Sequence, residues 1–303
     1  MKVVVFGGSG FIGSHVADVL TEAGYNVRIF DLNPSPYLKP SQKMVVGNVL
    51  NDEEVDKAVE GCDYIYHFAG ITDLDDATTK SSVTIIQNIK GTATLLEAAR
   101  RAKVKRFIFA STIYVYSDKG GFYRCSKQAS ELYIEEYQRR FGLDYSILRY
   151  GTVYGPRSDQ HNSVYRYLKQ ALTEGRITGL GNGEEIRGYI HVKDVARLSV
   201  EILSEKHRNQ HVIITGHPMK FIGFLHTIKE ILDNKIKVEL KEPPSGSAHY
   251  NLTPYSFIPK IGYKLTSNCY IDLGQGILEC LNEIHSQNRI KTENKAASTD
   301  DSE

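Results

Sequence analysis

Short apolar runs alternate with amphipathic stretches through the first half of the chain, which predicts strands and helices in turn. Lys2-Val3-Val4-Val5-Phe6 is a run of strand length, followed by a glycine-rich turn and a helical pattern from Phe11. Val27-Arg28-Ile29-Phe30 forms the next strand, ending at Asp31, and Val45-Val46 a short one before a helix over 52–60. A buried strand over 63–68 leads to a long helix over 81–102, then to a strand at Phe107-Ile108-Phe109 and a helix over 123–140. Residues 145–148 read as a further strand ending at Arg149. Such alternation argues for a doubly wound α/β fold, a parallel sheet with helices on both faces. Beyond Gly151 the pattern loosens: helices near 164–173, 193–203 and 221–232, with apolar segments at Ile177, Tyr189-Ile190 and Val212-Ile213-Ile214. Pro243-Pro244-Ser245-Gly246 marks a surface loop, and the polar stretch from Gln287 to Glu303 reads as a disordered tail. The expected layout is a sheet domain over 1–160, a smaller α/β lobe over 161–285 whose segments can return to the sheet, and a tail over 286–303.

The first turn carries the first chemistry. In Gly7-Gly8-Ser9-Gly10-Phe11-Ile12-Gly13, Gly7 permits a tight turn, Gly10 lets the backbone approach a pyrophosphate, and Gly13 lets the helix pack close to the strand. The helix that follows points its partly positive end at those phosphates. Asp31, eighteen residues beyond Gly13, stands where a carboxylate accepts the hydroxyls of a ribose. Strand, spacing and terminal acid together read as a Rossmann-like dinucleotide site. A 2′-phosphate about 4 Å from Asp31 would be repelled by roughly 4 kcal/mol at an effective dielectric near 20. Arg28 lies on the strand and no basic residue directly follows Asp31, so NAD is expected rather than NADP.

Composition narrows the partners. A formal net charge of +1 over 303 residues offers no electrostatic case for nucleic acid or an anionic membrane. The apolar runs are too short to span a bilayer, and a strand beginning at residue 2 leaves no room for a signal peptide. Cys62, Cys125, Cys269 and Cys280 show neither metal-ligand spacing nor a paired pattern, so reduced thiols in a cytoplasmic protein and no metal are expected.

Tyr123 and Lys127 stand four apart at the start of a predicted helix and share a face. A phenol titrating near 10 becomes a base near neutrality only if its pKa drops by about three units, roughly 4 kcal/mol. A nearby ammonium and the charge of an oxidised nicotinamide supply such a drop. The same pair also fits a merely exposed helical surface. The strand ending at Ala110 delivers Ser111-Thr112 to the carboxyl edge of the sheet, where a hydroxyl hands a substrate proton to a phenolate or simply caps the next turn.

With these residues in place, the chain resembles an extended short-chain dehydrogenase/reductase, most closely the NAD-dependent nucleotide-sugar epimerase/dehydratase family, over roughly residues 1–285. The likeness rests on the glycine turn, Asp31, Gly47-Asn48-Val49, His67-Phe68-Ala69-Gly70 and Asn88-Ile89-Lys90-Gly91-Thr92. It continues through Ser111-Thr112, Tyr123 with Lys127, Leu148-Arg149-Tyr150-Gly151-Thr152-Val153-Tyr154-Gly155-Pro156-Arg157, and Arg187-Gly188-Tyr189-Ile190-His191-Val192-Lys193-Asp194. The resemblance implies that Phe11 and Ile12 meet the pyrophosphate, that Asn48 and Val49 flank the adenine, and that Phe68, Ala69 and Gly70 line the dinucleotide. It also implies Asn33, Asn88, Tyr150, Gly151 and Val153 as cofactor contacts. Tyr123 would be the proton-transfer residue, Lys127 its partner and Thr112 the orienting hydroxyl. Thr152, Arg187 and His249 would meet the substrate, Arg187 at its diphosphate. His67 and His191 read as structural.

Where the dehydratases of this family carry an Asp-Glu pair after the catalytic threonine, this chain has Ile113-Tyr114, which disfavours elimination. Epimerisation at C4 of a nucleotide sugar through a 4-keto intermediate is therefore expected. A keto-sugar reductase or sugar dehydrogenase, and a non-catalytic NAD-binding regulator, remain as alternatives. Several positions depart from the family: six residues separate Tyr116 from Tyr123, Thr152 stands for Asn, and Gly188 for Asp. A homodimer is implied through the helices over 81–102 and 123–140, with Leu95, Leu96, Ala98, Ala99, Leu132, Ile134 and Tyr137 as candidate contacts.

Overall fold

Each apolar run becomes a strand, and the strands assemble in one direction. A computed structural model of the protein describes residues 1–72, 81–242, 262–267 and 269–300, the side chains of 291–300 excepted. Its main sheet holds eight strands in the order β13-β10-β6-β5-β4-β1-β2-β3. These are β1 (Lys2–Phe6), β2 (Asn26–Asp31), β3 (Lys43–Val46), β4 (Tyr64–His67), β5 (Arg106–Thr112), β6 (Tyr145–Tyr150), β10 (Gln210–Ile214) and β13 (Tyr263–Lys264). Every pairing among them is parallel. The strand order reverses between β1 and β4, so the crevice outside their carboxyl ends is the place where such sheets bind ligands.

Alternation along β1 divides the core. Val3 and Val5 face one layer with Val16 and Leu20 of α1 (Phe11–Glu22) and Val195 and Leu198 of α7 (Val192–Glu201). Val4 and Phe6 face the other, with Val55 of α2 (Asp52–Val59), Leu95 and Leu96 of α4 (Gly91–Arg101) and Ile134 of α5 (Gly121–Phe141). Fully buried side chains of this size each contribute about 1.5–3 kcal/mol, which pins register because a one-residue slip would turn every one of them around.

The second half is built as a lobe and a return. A separate cluster gathers Leu168 of α6 (Ser163–Glu174), Tyr189 of β9 (Ile186–His191), Phe224 of α8 (Phe221–Ile231) and Ile277 and Leu281 of α9 (Leu273–Asp300). Small sheets β11-β9-β7 and β12-β8 complete it, with β7 at Thr152–Tyr154, β8 at Arg176–Leu180, β11 at Pro218–Lys220 and β12 at Lys237–Lys241.

Three expectations need correction. The chain beyond 286 is helical to Asp300 rather than disordered, because α9 is anchored by the buried Ile277, Cys280, Leu281 and Ile284. The long helix over 81–102 is broken into α3 (Ser81–Thr84), a π-helical turn (Ile85–Lys90) and α4. Leu95, Leu96, Ala98, Ala99 and Ile134 are buried against the sheet, and Leu132 is the exposed member of that set, at 65%. Among the described residues no helix is long and apolar enough to cross a membrane.

Candidate active site

A cavity of about 680 Å³ opens at the switch point, within the range that small-molecule sites occupy. Its floor is the glycine turn. Gly7 has φ +77°, and a Cβ there would lie 2.5 Å from the backbone nitrogen of Ala69; at Gly13 it would lie 2.2 Å from the Gly7 carbonyl. At Gly10 such an atom would meet the Gly7 oxygen at 3.3 Å and otherwise enter open space, so the missing side chain leaves a cradle. Among the described residues no side chain caps α1, and its first turn carries no acid, which leaves its positive end available to an anion.

Asp31 closes one end of the cavity. Its carboxylate accepts from the backbone of Ser9 at 3.0 Å and of Asn33 at 3.3 Å, and a carboxylate of about four acceptor sites keeps capacity for ribose hydroxyls. Arg28 donates to the carbonyls of Lys57 and Ala58 at the end of α2, so it does not sit beside Asp31. Val49, Phe68, Ala69, Gly70, Tyr150, Gly151 and Val153 also line the cavity. Cradle, uncapped helix and acid together fit a dinucleotide without a 2′-phosphate.

The candidate reacting groups line the same cavity. Thr112 ends β5 and accepts from the Tyr114 amide at 3.3 Å as the cap of a 3-10 turn, and it is also hydrogen-bonded to the Tyr123 phenol. Thr112 thus caps the turn and lines the cavity at once. Lys127, one turn along α5, donates to the Ala110 carbonyl at 2.7 Å; its ammonium lies 4.7 Å from the Phe109 ring centre and 5.8 Å from that of Tyr123. Burial pushes the Tyr123 phenol up to about 12, opposed by the Thr112 hydrogen bond. Burial lowers Lys127 to about 8, opposed by the Glu131 carboxylate. The phenol of the cofactor-free protein is therefore weaker as an acid than free tyrosine, so Lys127 without an oxidised nicotinamide does not supply the expected lowering. Desolvation of the phenolate outweighs its neighbours until a further positive charge arrives.

Other expected site residues lie off the cavity wall. Asn88 is buried in the π-helical turn, where its amide bonds the backbone N–H and carbonyl of Ile71 and the Ser126 hydroxyl at 2.7–3.0 Å, bracing the Gly70 loop against α5. Asn48 turns its side chain onto the Leu50 amide at 2.9 Å, and Asn33 contributes only its backbone to Asp31. Thr152 pairs with β9 opposite Tyr189. The Arg187 guanidinium lies 4.5 Å from the Phe221 ring centre. His249 lies outside the described residues. His67 contacts the Thr92 hydroxyl at 3.0 Å, and His191 caps α7 and contacts Glu279 at 3.2 Å, both as structural residues. Conversely, Thr72, Val83, Gln87, His161 and Asn162 line the cavity without having been singled out. Asn162 had a signal, since an Asn before an apolar-periodic run is a helix cap, and it caps α6 through Val164 and Tyr165.

A parallel sheet with its cavity at the switch point and a Thr-Tyr-Lys group beside a dinucleotide cradle defines a short-chain dehydrogenase/reductase-like enzyme. The chain belongs to the NAD dependent epimerase/dehydratase family, whose model matches residues 3–215. NAD is accordingly its cofactor. It is similar to a putative UDP-glucose 4-epimerase of Methanocaldococcus jannaschii, 26% identical, covering 95% of this chain and 99% of that one. An uncharacterised UDP-glucose epimerase of Bacillus subtilis is 29% identical over 68% of this chain and 74% of its own. Among solved structures, the UDP-glucose 4-epimerase of Thermotoga maritima with UDP-glucose superposes with a TM-score of 0.81 at 26% identity, over 95% of this chain and 99% of that one.

Proposed function

We propose that the protein is a nucleotide-sugar epimerase that inverts C4 through a 4-ketose. The observation that carries the reading is the joint placement of Thr112, Tyr123 and Lys127 on the wall that also holds the glycine cradle. Gly7, Gly10, Phe11, Ile12 and Gly13 would hold the pyrophosphate of NAD, Asp31 a ribose, and Val49, Phe68, Ala69, Gly70, Tyr150, Gly151 and Val153 the remainder. When bound, NAD supplies a redox partner for the sugar carbon and a positive charge at its oxidised ring. Tyr123 takes the hydroxyl proton of the sugar and later returns it, so a single phenol serves both half-reactions. Thr112 orients that hydroxyl, and Lys127 stabilises the phenolate while its ammonium, lowered to about 8, keeps its proton.

Similarity to relatives described as UDP-glucose epimerases supports this reading. So does the turn after Thr112, where Ile113 is buried and Tyr114 replaces the acid that elimination needs. The same reading includes a homodimer: Ile85, Ile86, Leu132 and Tyr133 are 45–65% exposed on the π-helical turn and the neighbouring α5, an apolar surface that a second copy would cover. The test is incubation of purified protein with a panel of UDP- and dTDP-sugars while absorbance is followed at the wavelength of reduced nicotinamide. An epimerase brings each substrate pair to a fixed ratio without net reduction. Stoichiometric formation or consumption of reduced cofactor would identify a dehydrogenase or reductase instead.

A further inference from the structure

Behind the cavity wall lies a buried ionic row. Tyr123, Lys127, Glu131 and Glu135 recur every four residues along α5 and share one face. The Ser111 hydroxyl donates to Glu131 at 2.5 Å, and the Arg149 guanidinium grips the same carboxylate through Nε at 3.1 Å and Nη2 at 2.6 Å. Nη1 of Arg149 donates to the Tyr116 hydroxyl at 2.6 Å, which also accepts the Gly262 amide at 2.9 Å. Nη2 meets Nδ1 of His211 at 2.7 Å, and Nε2 of His211 lies 2.9 Å from Glu135. Arg149 is 1% exposed and Glu131 5%.

Burying such a pair yields little net stability over apolar packing, yet breaking it costs about 3–5 kcal/mol. What it does supply is fixed geometry. Ser111 precedes Thr112 on β5, Arg149 lies beside Ser111 on β6, and Glu131 is two turns beyond Tyr123 on α5. We infer that Glu131 is a positioning residue: through Ser111 and Arg149 it sets the offset between the strand end that carries Thr112 and the helix face that carries Tyr123 and Lys127. The inference rests on the reading of Tyr123 as the proton-transfer group. Glu131 faces Lys127 and Glu135 on its own helix, Ser111 on β5, Arg149 on β6 and His211 on β10, with Tyr116 and Tyr145 behind them. Among these the carboxylate supports the charges of the Arg149 guanidinium and the Lys127 ammonium.

Ser111→Ala cuts the tie and leaves the ion pair whole. In the NAD-loaded protein kcat should fall about tenfold, a modest part of what a positioned base is worth, with KM for sugar and NAD affinity within about twofold of the parent. A kcat within about twofold of the parent would overturn the inference. Glu131→Gln keeps an acceptor for Ser111 but loses the charge, so the basic limb of kcat should move to lower pH by about half a unit or more; an unshifted limb would also overturn it. Should Glu131→Gln fail to fold, Ser111→Ala decides alone. Should the parent turn over no nucleotide sugar, the proposed function fails separately. The coupling is then read from tyrosinate absorbance of NAD-loaded protein, as the difference from Tyr123→Phe. Ser111→Ala should raise the Tyr123 pKa by about half a unit or more, and no change would overturn the inference.

Discussion

Replacing Lys127 with methionine keeps the length and apolar stem of the side chain and removes its charge. The structure sets the size of the effect. A phenol held at about 12 must descend about five units to be half ionised at pH 7, roughly 7 kcal/mol. A unit charge 5.8 Å from the ring centre contributes about 3 kcal/mol at an effective dielectric near 20, which is about two units. The phenol stands at about 12 with Lys127 already beside it, so the lowering below that value falls to the charge of bound oxidised NAD, and removing the ammonium would raise the phenol by about two units more. Lys127→Met should therefore lower kcat at pH 7 about a hundredfold with NAD saturating. The loss should shrink as the medium becomes more basic, because the variant recovers phenolate while the parent's Lys127, at about 8, gives up its charge. The assay is kcat against pH between 6 and 10 for parent and variant, with NAD occupancy checked independently. A loss that stays constant across that range would refute the argument, because it would assign Lys127 to binding rather than to ionisation of Tyr123.

Other consequences follow from the same contacts. Gly13→Ala places a methyl against the Gly7 carbonyl, backbone that cannot give way, so denaturant unfolding should show a loss of about 1–3 kcal/mol together with weakened NAD binding. His15, 7% exposed and bonded to the Pro156 carbonyl, is lowered by burial to about 4 from 6.5. Its stabilisation is whole above pH 6.5 and lost as pH falls toward 4, so the stability difference between pH 7 and pH 4 should be about 3 kcal/mol smaller in His15→Gln. Equal pH slopes in the two proteins would contradict that assignment. Leu132→Glu puts a charge on the exposed apolar surface of α5 and should convert a dimer to monomer by light scattering, with the fold intact by circular dichroism.

Much of this architecture can be read from residue order, for identifiable reasons. β1, β4 and β5 are near-continuous apolar runs buried on both faces, as parallel strands are, and the glycine turn with Asp31 has a spacing that chemistry constrains tightly. Gly7, Gly10, Phe11, Ile12, Gly13 and Asp31 all line the cavity, with Thr112, Tyr123 and Lys127. Amide side chains were harder to place. Asn48 and Asn88 fall within motifs that surround the cofactor site, but an amide bonds equally well to a ligand or to its own loop, and in this fold both close on backbone. The π-helical turn over Ile85–Lys90 has no period that hydrophobicity could reveal. Arg149 sits within an apolar strand, and its burial was visible only as a charge out of place. The partner, Glu131, continues the four-residue spacing of Tyr123 and Lys127 and could have been found from it. Polar composition alone does not exclude a helix in the tail, whose first turns are anchored by Ile277, Leu281 and Ile284.

The central claim is that one phenol and one cofactor invert C4 of a nucleotide sugar without exchanging carbon-bound hydrogen with water. UDP-glucose labelled with deuterium at C4, incubated with the NAD-loaded protein in ordinary water, should yield UDP-galactose that keeps its deuterium at C4, and Tyr123→Phe should abolish that conversion while still binding NAD. Solvent hydrogen at C4, or a 6-deoxy product carrying solvent hydrogen at C5, would contradict the account.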